Sequence, residues 1–100
     1  MNPADVLTDN LRAQAQALFD AVGATDVAIF GSVAEGTSQP GSDLDLVAKF
    51  PPAFNLFNLI DLTEALEALF GHNVDIVSDD PRAGAGIDEI RATSVPLFSR

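Results

Sequence analysis

Residues 42–50 read SDLDLVAKF, with apolar and polar side chains in alternation. A two-residue period is typical of a β-strand that buries one face. The predicted buried face consists of Leu44, Leu46, Ala48 and Phe50. The predicted opposite face consists of Asp43, Asp45, Val47 and Lys49. The two prolines that follow end the strand, because proline has no N–H to donate to a neighbouring strand.

The sequence on either side predicts one small α/β domain over residues 1–100. Apolar residues at helical spacing predict helices over residues 4–22, over 56–70, and from 87 until Pro96 ends the last one. Short apolar runs predict strands at residues 26–30 and 74–78. The composition of residues 31–41 predicts a loop. The order helix, strand, strand, helix, strand, helix places the elements around one small sheet.

Both long predicted helices carry an apolar stripe and are followed by a glycine, Gly23 or Gly71. The first stripe is Leu7, Leu11, Ala15, Leu18 and Val22. The second stripe is Leu56, Leu59, Ile60, Thr63, Leu66 and Phe70. Phe57 lies off the second stripe, and Leu97 and Phe98 stand near the chain end. We expect these three to form an exposed surface for another protein.

The composition excludes several classes of site. The chain has no Cys and one His, so disulfides, thiolate zinc sites and cysteine nucleophiles are impossible. Any metal must use oxygen ligands. Acidic residues outnumber basic ones by 15 to 5, and the five basic residues are scattered. We therefore expect no direct nucleic-acid binding and favour a basic protein partner.

No stretch of the sequence approaches the 18 apolar residues of a membrane span. The first residues lack the pattern of a secretory signal. We expect a cytoplasmic location and no membrane partner.

Asp43 and Asp45 are two residues apart on a strand, roughly 6.5 to 7 Å along the backbone. Parallel carboxylates repel, and a pair of divalent cations roughly 3.5 to 4 Å apart would remove that cost. A solvated acidic face on an edge strand is the alternative. The two aspartates alone do not decide between a metal site and a solvated acidic face.

The segment before this strand favours a metal site at Asp43 and Asp45 over a solvated acidic face. Gly31 and Ser32 follow a buried strand directly, and their amides with a serine hydroxyl can hold phosphate oxygens. A flexible hairpin loop is the alternative for this turn. Asp75 lies between two apolar residues of the third strand. If that strand neighbours the Asp43 strand, three carboxylates converge.

These residues resemble a known family. Gly31-Ser32, followed by Ser42-Asp43-Leu44-Asp45-Leu46, resembles the signature of the DNA polymerase beta superfamily of nucleotidyltransferases. The segment of residues 73–77 and the chain end look like its minimal nucleotidyltransferase branch. The resemblance implies a polymerase beta-like α/β (α+β) fold, a small mixed sheet flanked by helices. It covers nearly the whole chain.

The resemblance also implies a site and a partner. It implies Mg²⁺ on Asp43, Asp45 and Asp75, and nucleotide held at Gly31 and Ser32. Members of the minimal branch are often antitoxins paired with a helical HEPN-type ribonuclease toxin, and some attach AMP to a toxin hydroxyl.

The chain departs from its relatives at two positions. They commonly carry Arg where this chain has Val33 and Glu35, so the loop has lost charge that would help to hold a triphosphate.

The resulting hypothesis is a Mg²⁺-dependent protein adenylyltransferase. It uses two Mg²⁺ ions and ATP, and its partner is a basic, helical HEPN-type toxin. One alternative is an antitoxin that acts by binding alone. Another is a small-molecule transferase of the aminoglycoside type, which 100 residues leave little room for. We expect His72, Glu64, Glu67, Lys49 and Arg82 to be ordinary surface residues.

Overall fold

The computed structural model describes residues 7–80 and 86–98. The helices are α1 (Asp9–Ala21), α2 (Gly31–Glu35), α3 (Leu56–Phe70) and α4 (Gly86–Thr93). The strands are β1 (Thr25–Phe30), β2 (Leu44–Lys49), β3 (Val74–Ser78) and β4 (Val95–Pro96). The start of the predicted first helix at residues 4–6, Arg82 and Arg100 lie outside the described residues.

The four strands form one mixed sheet in the order β3-β2-β1-β4. β1 runs antiparallel to β2 and β4, whereas β2 and β3 are parallel. The parallel pair is joined through α3, the crossover that parallel neighbours require. The predicted small mixed sheet with helices is confirmed, and the third predicted strand does neighbour the second.

One hydrophobic core lies between the sheet and helices α1 and α3. Alternate strand residues point into it, as the two-residue period predicts. Its fully buried members include Ala15, Phe19, Leu44, Leu46, Ala48, Leu66 and Leu97. Asp45 and Asp75 lie on the opposite face of the sheet, because each stands between two core residues of its own strand.

Side chains and glycines set the helix ends. The Thr8 hydroxyl accepts a hydrogen bond from the Leu11 N–H, so α1 begins at Asp9, and Leu7 and Thr8 are not helical, contrary to the prediction. Gly23 and Gly71 have positive φ just after α1 and α3, as predicted. Asn55 and Asn58 exchange backbone and side-chain hydrogen bonds of 2.9 and 3.0 Å, which fixes the start of α3.

Two predictions on the helices are wrong. Residues 31–35 are helical and not loop, because α2 packs Val33 and Ala34 against the core between two glycines of positive φ. The buried residues of α3 are Leu62, Leu66 and Phe70, so Leu66 and Phe70 are buried as predicted, but Leu62 lies off the predicted stripe and the helix is rotated from it. Leu56 and Ile60 are exposed.

The end of the chain also differs from the prediction. The last helix ends at Thr93, and Val95–Pro96 forms an edge strand against Ala28 and Ile29. Proline is tolerated there because the pairing of an edge strand can spare its missing N–H. Leu97 is fully buried, and the rings of Phe98 and Phe19 meet edge to face at 6.1 Å. The chain end therefore belongs to the core and not to an exposed surface.

The face of the sheet opposite α1 and α3 is not wholly solvated. Val47 is completely buried, and its register partner Ala28 is 5% exposed. The prediction that β2 buries one face is therefore wrong at Val47. The carboxylate of Asp45 lies on a face that is partly shielded from water.

Candidate active site

Gly31 joins β1 to α2 at the end of the strand. Its φ is 72°, a conformation that costs an L-residue energy. A Cβ at this position would overlap the Oδ2 atom of Asp45 and stand 3.3 Å from its Cγ. Glycine is therefore required twice, for backbone conformation and for space. The turn and the carboxylate, two separate motifs in the sequence, are in direct contact.

Asp45 stands between two register partners in the sheet, Phe30 on β1 and Asp75 on β3. Neighbouring strands lie roughly 4.8 Å apart, so the two aspartates leave adjacent backbones on the same face. Asp43 lies one residue before β2 and is exposed. The Leu44 N–H donates to the Asn73 carbonyl at 3.0 Å, which joins the starts of β2 and β3 beside Asp43.

The environment of Asp45 raises its pKa above the usual 3.8. Burial is the largest cause, since it penalises the charged form. The negative charges of Asp75 and then Asp43 act in the same direction. The negative charge of Asp45 is therefore opposed both by its surroundings and by its neighbours.

The chemistry of these donors fits a divalent cation. All three are carboxylates, which Mg²⁺ prefers, and a cation would offset the repulsion that Asp45 experiences. Within residues 7–80 and 86–98, no three His, Cys, Asp or Glu side chains are gathered so that they could hold an ion as they stand. A complete site therefore requires side-chain rearrangement around the Asp45–Asp75 pair.

The remaining loop residues take different positions. Ser32 is half-buried in the first turn of α2, next to Gly31. Val33 packs against the core, whereas Glu35 is exposed at the end of the helix. Of these two residues, Glu35 is the more exposed to solvent. We refer below to Gly31, Ser32, Asp43, Asp45 and Asp75 as the carboxylate site.

Two of the residues expected to be ordinary surface groups are not. Glu67 is half-buried, and its Oε2 accepts a hydrogen bond from the Val74 N–H at 3.1 Å. His72 is half-buried, and its Nε2 has no hydrogen-bond partner among the described residues. Glu64 is exposed, and Lys49 pairs with Asp26 at 3.5 Å, as expected of surface charges.

A cavity of about 1150 Å³ lies away from the carboxylate site, at the far ends of β1 and β2. Its walls include Arg12, Lys49 and Arg91, so the basic residues of the described part converge more than their sequence positions indicate. Arg91 is held there by Asp79 at 2.7 Å and by the Asp26 carbonyl. The carboxylate site contributes no residue to this cavity. The carboxylates, and not the residues of the cavity, offer the oxygen ligands that a divalent cation needs.

Comparison with known proteins identifies the family. The profile of the nucleotidyltransferase domain matches residues 10–95 of this chain, and so nearly its whole length. The chain belongs to the nucleotidyltransferase domain family. The protein adenylyltransferase MntA of Thermococcus cleftensis is 36% identical over 67 residues, which are 67% of this nucleotidyltransferase domain and 68% of MntA.

Solved structures agree with that membership. A chain described as a minimal nucleotidyltransferase is 36% identical, with a TM-score of 0.71 over 88% of this nucleotidyltransferase domain and 93% of that chain. A toxin–antitoxin structure with AMP-PNP has a TM-score of 0.72 at 17% identity, covering 89% and 73% of the two chains. A mutant MntA–HpeT toxin–antitoxin structure has a TM-score of 0.71 at 15% identity, with the same coverage. The last two likenesses show the fold alone.

No helix in the described part of this nucleotidyltransferase domain is both long enough and apolar enough to cross a bilayer.

Proposed function

We propose that this domain transfers AMP from ATP to a hydroxyl of a partner protein, as the antitoxin of a HEPN/MNT toxin–antitoxin pair. The contact between Gly31 and the Asp45 carboxylate is the observation that carries the proposal, because it joins the phosphate-holding turn to the acidic pair. The likeness to a protein adenylyltransferase supports the choice of AMP and of a protein acceptor.

The transfer is an in-line displacement at the α-phosphorus of ATP. The acceptor oxygen forms a bond to that phosphorus, and the bond from phosphorus to the bridging oxygen of pyrophosphate breaks. Pyrophosphate leaves with the electron pair, and the proton of the acceptor hydroxyl passes to a base. When bound by Asp43, Asp45 and Asp75, two Mg²⁺ ions would polarise the acceptor oxygen and neutralise the leaving charge.

Each residue of the carboxylate site has its own part in this proposal. Gly31 and Ser32 hold the terminal phosphates through backbone N–H groups and the serine hydroxyl. Asp75 is exposed, so it can meet an acceptor that arrives from outside, and we assign it the proton of the hydroxyl. Asp45 is the half-buried anchor of the site, fixed between β1 and β3.

Exposure and charge support a protein acceptor. Asp43 and Asp75 of the carboxylate site are exposed, so an acceptor on another protein can reach them. A net charge of −10 would speed the encounter with a basic partner. An AMP unit on a toxin side chain would add negative charge and bulk, which can block an active site for RNA.

A binding-only antitoxin is the second candidate, and Glu35 favours it. Its exposed carboxylate stands on the helix that begins with Gly31 and Ser32, where it opposes the approach of a triphosphate. In that case the same partner would be blocked without chemical change.

One experiment separates the two candidates. The chain is co-expressed with the product of its neighbouring gene, and the complex is incubated with radiolabelled ATP and Mg²⁺. Our proposal expects label on the partner and a mass gain of whole AMP units by intact-mass spectrometry. A partner that binds without any mass gain would support the binding-only role, and label on a small molecule would refute both.

A further inference from the structure

The first half of α3 carries apolar side chains that the fold leaves uncovered. Leu56, Phe57 and Ile60 are 67%, 77% and 46% exposed, and we call these three residues the α3 patch. The same helix reaches the core through other residues in its second half. Among the described residues the patch therefore contributes little to packing, and keeping three large apolar side chains together in water is unfavourable.

Hydrogen bonds and a ring contact define the start of α3. The reciprocal hydrogen bonds of Asn55 and Asn58 fix the first turn of α3, which carries Leu56 and Phe57. The rings of Phe50 and Phe54 stack at 4.1 Å in the segment that leads into the helix. A preformed surface loses little conformational entropy on binding, so this part of α3 is suited to docking.

The charge beside the patch is uniformly negative. Asp61 lies four residues after Phe57, and Glu64 lies four residues after Ile60, so each carboxylate is a neighbour of a patch residue on the helix surface. Both are exposed, and α3 contains no Lys or Arg. A complementary surface has an apolar pocket with a cationic rim.

The described residues of a second copy of this chain do not supply that rim. Two α3 patches brought together would face carboxylate with carboxylate, between chains that each carry a net charge of −10. The basic residues of the described part, Arg12, Lys49 and Arg91, lie on other elements and are hydrogen-bonded or paired within their own chain. Charge therefore selects a different, basic protein.

The α3 patch and the carboxylate site lie at opposite ends and on opposite faces of the sheet. Asp45 is the second residue of β2, whereas the patch begins only after β2 has ended and the chain has turned into α3. α3 packs on the core face, and Asp45 points to the other face. A group bound at the patch is consequently remote from the carboxylates.

We propose that the α3 patch is a docking surface for a basic partner protein, and that docking there is separable from nucleotidyl transfer. This rests on the proposed function only in taking the neighbouring gene product as the partner. Phe57 fills an apolar pocket of that partner, and Asp61 and Glu64 meet Lys or Arg at its rim.

The test compares Phe57→Ser with the matched control Val95→Ser. Val95 is also exposed, at 48%, but it lies on β4 away from the patch. Affinity for the co-expressed neighbouring gene product is measured by calorimetry on the separated proteins. Phe57→Ser should weaken the complex roughly 30-fold or more, as loss of a central interface residue does, and Val95→Ser should not. Affinity for Mg·ATP should stay unchanged in both variants.

A second variant tests the rim. Asp61→Asn with Glu64→Gln should slow association and flatten its dependence on salt. Equal weakening by Phe57→Ser and Val95→Ser, no complex with the neighbour at all, or loss of self-association in Phe57→Ser would overturn the proposal. A Phe57-dependent complex without AMP transfer would leave the docking surface standing and remove the adenylyltransferase.

Discussion

Replacing Gly31 with Ala should destabilise the protein through two separate contributions. The first is backbone strain, because Ala at a φ of 72° costs about 1–2 kcal/mol. The second is the overlap of the new Cβ with Asp45, whose carboxylate must leave its preferred rotamer at about 0.5–1.5 kcal/mol. The free energy of unfolding should fall by roughly 1.5–3.5 kcal/mol in total.

Gly71 supplies the matched control. Its φ is 71°, and a Cβ there would meet nothing within 4 Å. Gly71→Ala should therefore show the strain alone, about 1–2 kcal/mol. In an Asp45→Ala background the nearest atom left to the Cβ of Gly31→Ala is the Asp45 Cβ at 3.5 Å, an ordinary contact. The cost of Gly31→Ala should then fall to that of Gly71→Ala.

Urea unfolding followed by far-ultraviolet circular dichroism measures these differences, since the chain has no Trp or Tyr for fluorescence. AMP transfer by Gly31→Ala should be lost beyond what its stability explains, because Asp45 has moved. If Gly31→Ala and Gly71→Ala cost the same, or if Asp45→Ala does not relieve Gly31→Ala, the contact between turn and carboxylate is not as described.

Four further outcomes are expected. Asp43→Ala and Asp45→Ala should each abolish Mg²⁺-dependent ATP binding while the fold survives, and unchanged Mg·ATP affinity by calorimetry in both would remove the site assignment. Asp75→Asn should lower the transfer rate roughly 100-fold or more with little change in ATP affinity, and equal rates would exclude Asp75 from the chemistry. Glu35→Arg should tighten ATP binding roughly two- to fivefold at low salt and less at high salt; unchanged or weaker binding would show that Glu35 does not face the nucleotide. Without divalent cations, Asp45→Asn should be more stable than the wild type at neutral pH. Because the pKa of Asp45 is raised in the folded state, the folded protein binds the Asp45 proton more tightly than the unfolded chain does. The wild type therefore loses stability as pH rises from the ordinary 3.8 through the raised pKa, and Asp45→Asn does not. Urea midpoints that differ equally at every pH would contradict this.

Strand periodicity predicted which side chains of β2 and β3 face the core. The alternation in residues 42–50 placed Leu44, Leu46 and Ala48 in the core, and the structure confirms it. The apolar neighbours of Asp75 predicted in the same way that its side chain faces away from the core. The sequence analysis left open whether the third strand neighbours the second, and the structure shows that β2 and β3 are paired. The two-residue alternation is a local property of one strand, so it can be recognised without knowing which strands pair with it.

Elements that depend on contacts distant in sequence were not predicted. α2 has five residues, too few for a helical period to be recognised, and its composition is that of a loop. β4 has two residues and exists because it pairs with β1, some 66 residues earlier at Ala28 and Ile29. The burial of Leu97 follows from that pairing. The contact of Gly31 with Asp45 likewise depends on the β1–β2 register, which single residues do not reveal.

The rotation of α3 has a related cause. The sequence offers apolar residues on most sides of this helix, so several stripes are compatible with its period. The core selects Leu62, Leu66 and Phe70, and Leu56 and Ile60 then join Phe57 at the surface. When a segment has more apolar residues than one stripe needs, its sequence predicts that a helix forms better than it predicts which side of the helix is buried.

Intact-mass spectrometry of the partner distinguishes AMP transfer from binding alone. The neighbouring gene product is incubated with ATP, Mg²⁺ and either the wild-type chain or Asp45→Asn, which keeps the shape of the side chain and removes its charge. We expect a gain of AMP units with the wild type and none with Asp45→Asn, although both chains bind the partner. A partner that gains the same mass with Asp45→Asn, or that binds the wild type and stays unmodified, would contradict this expectation.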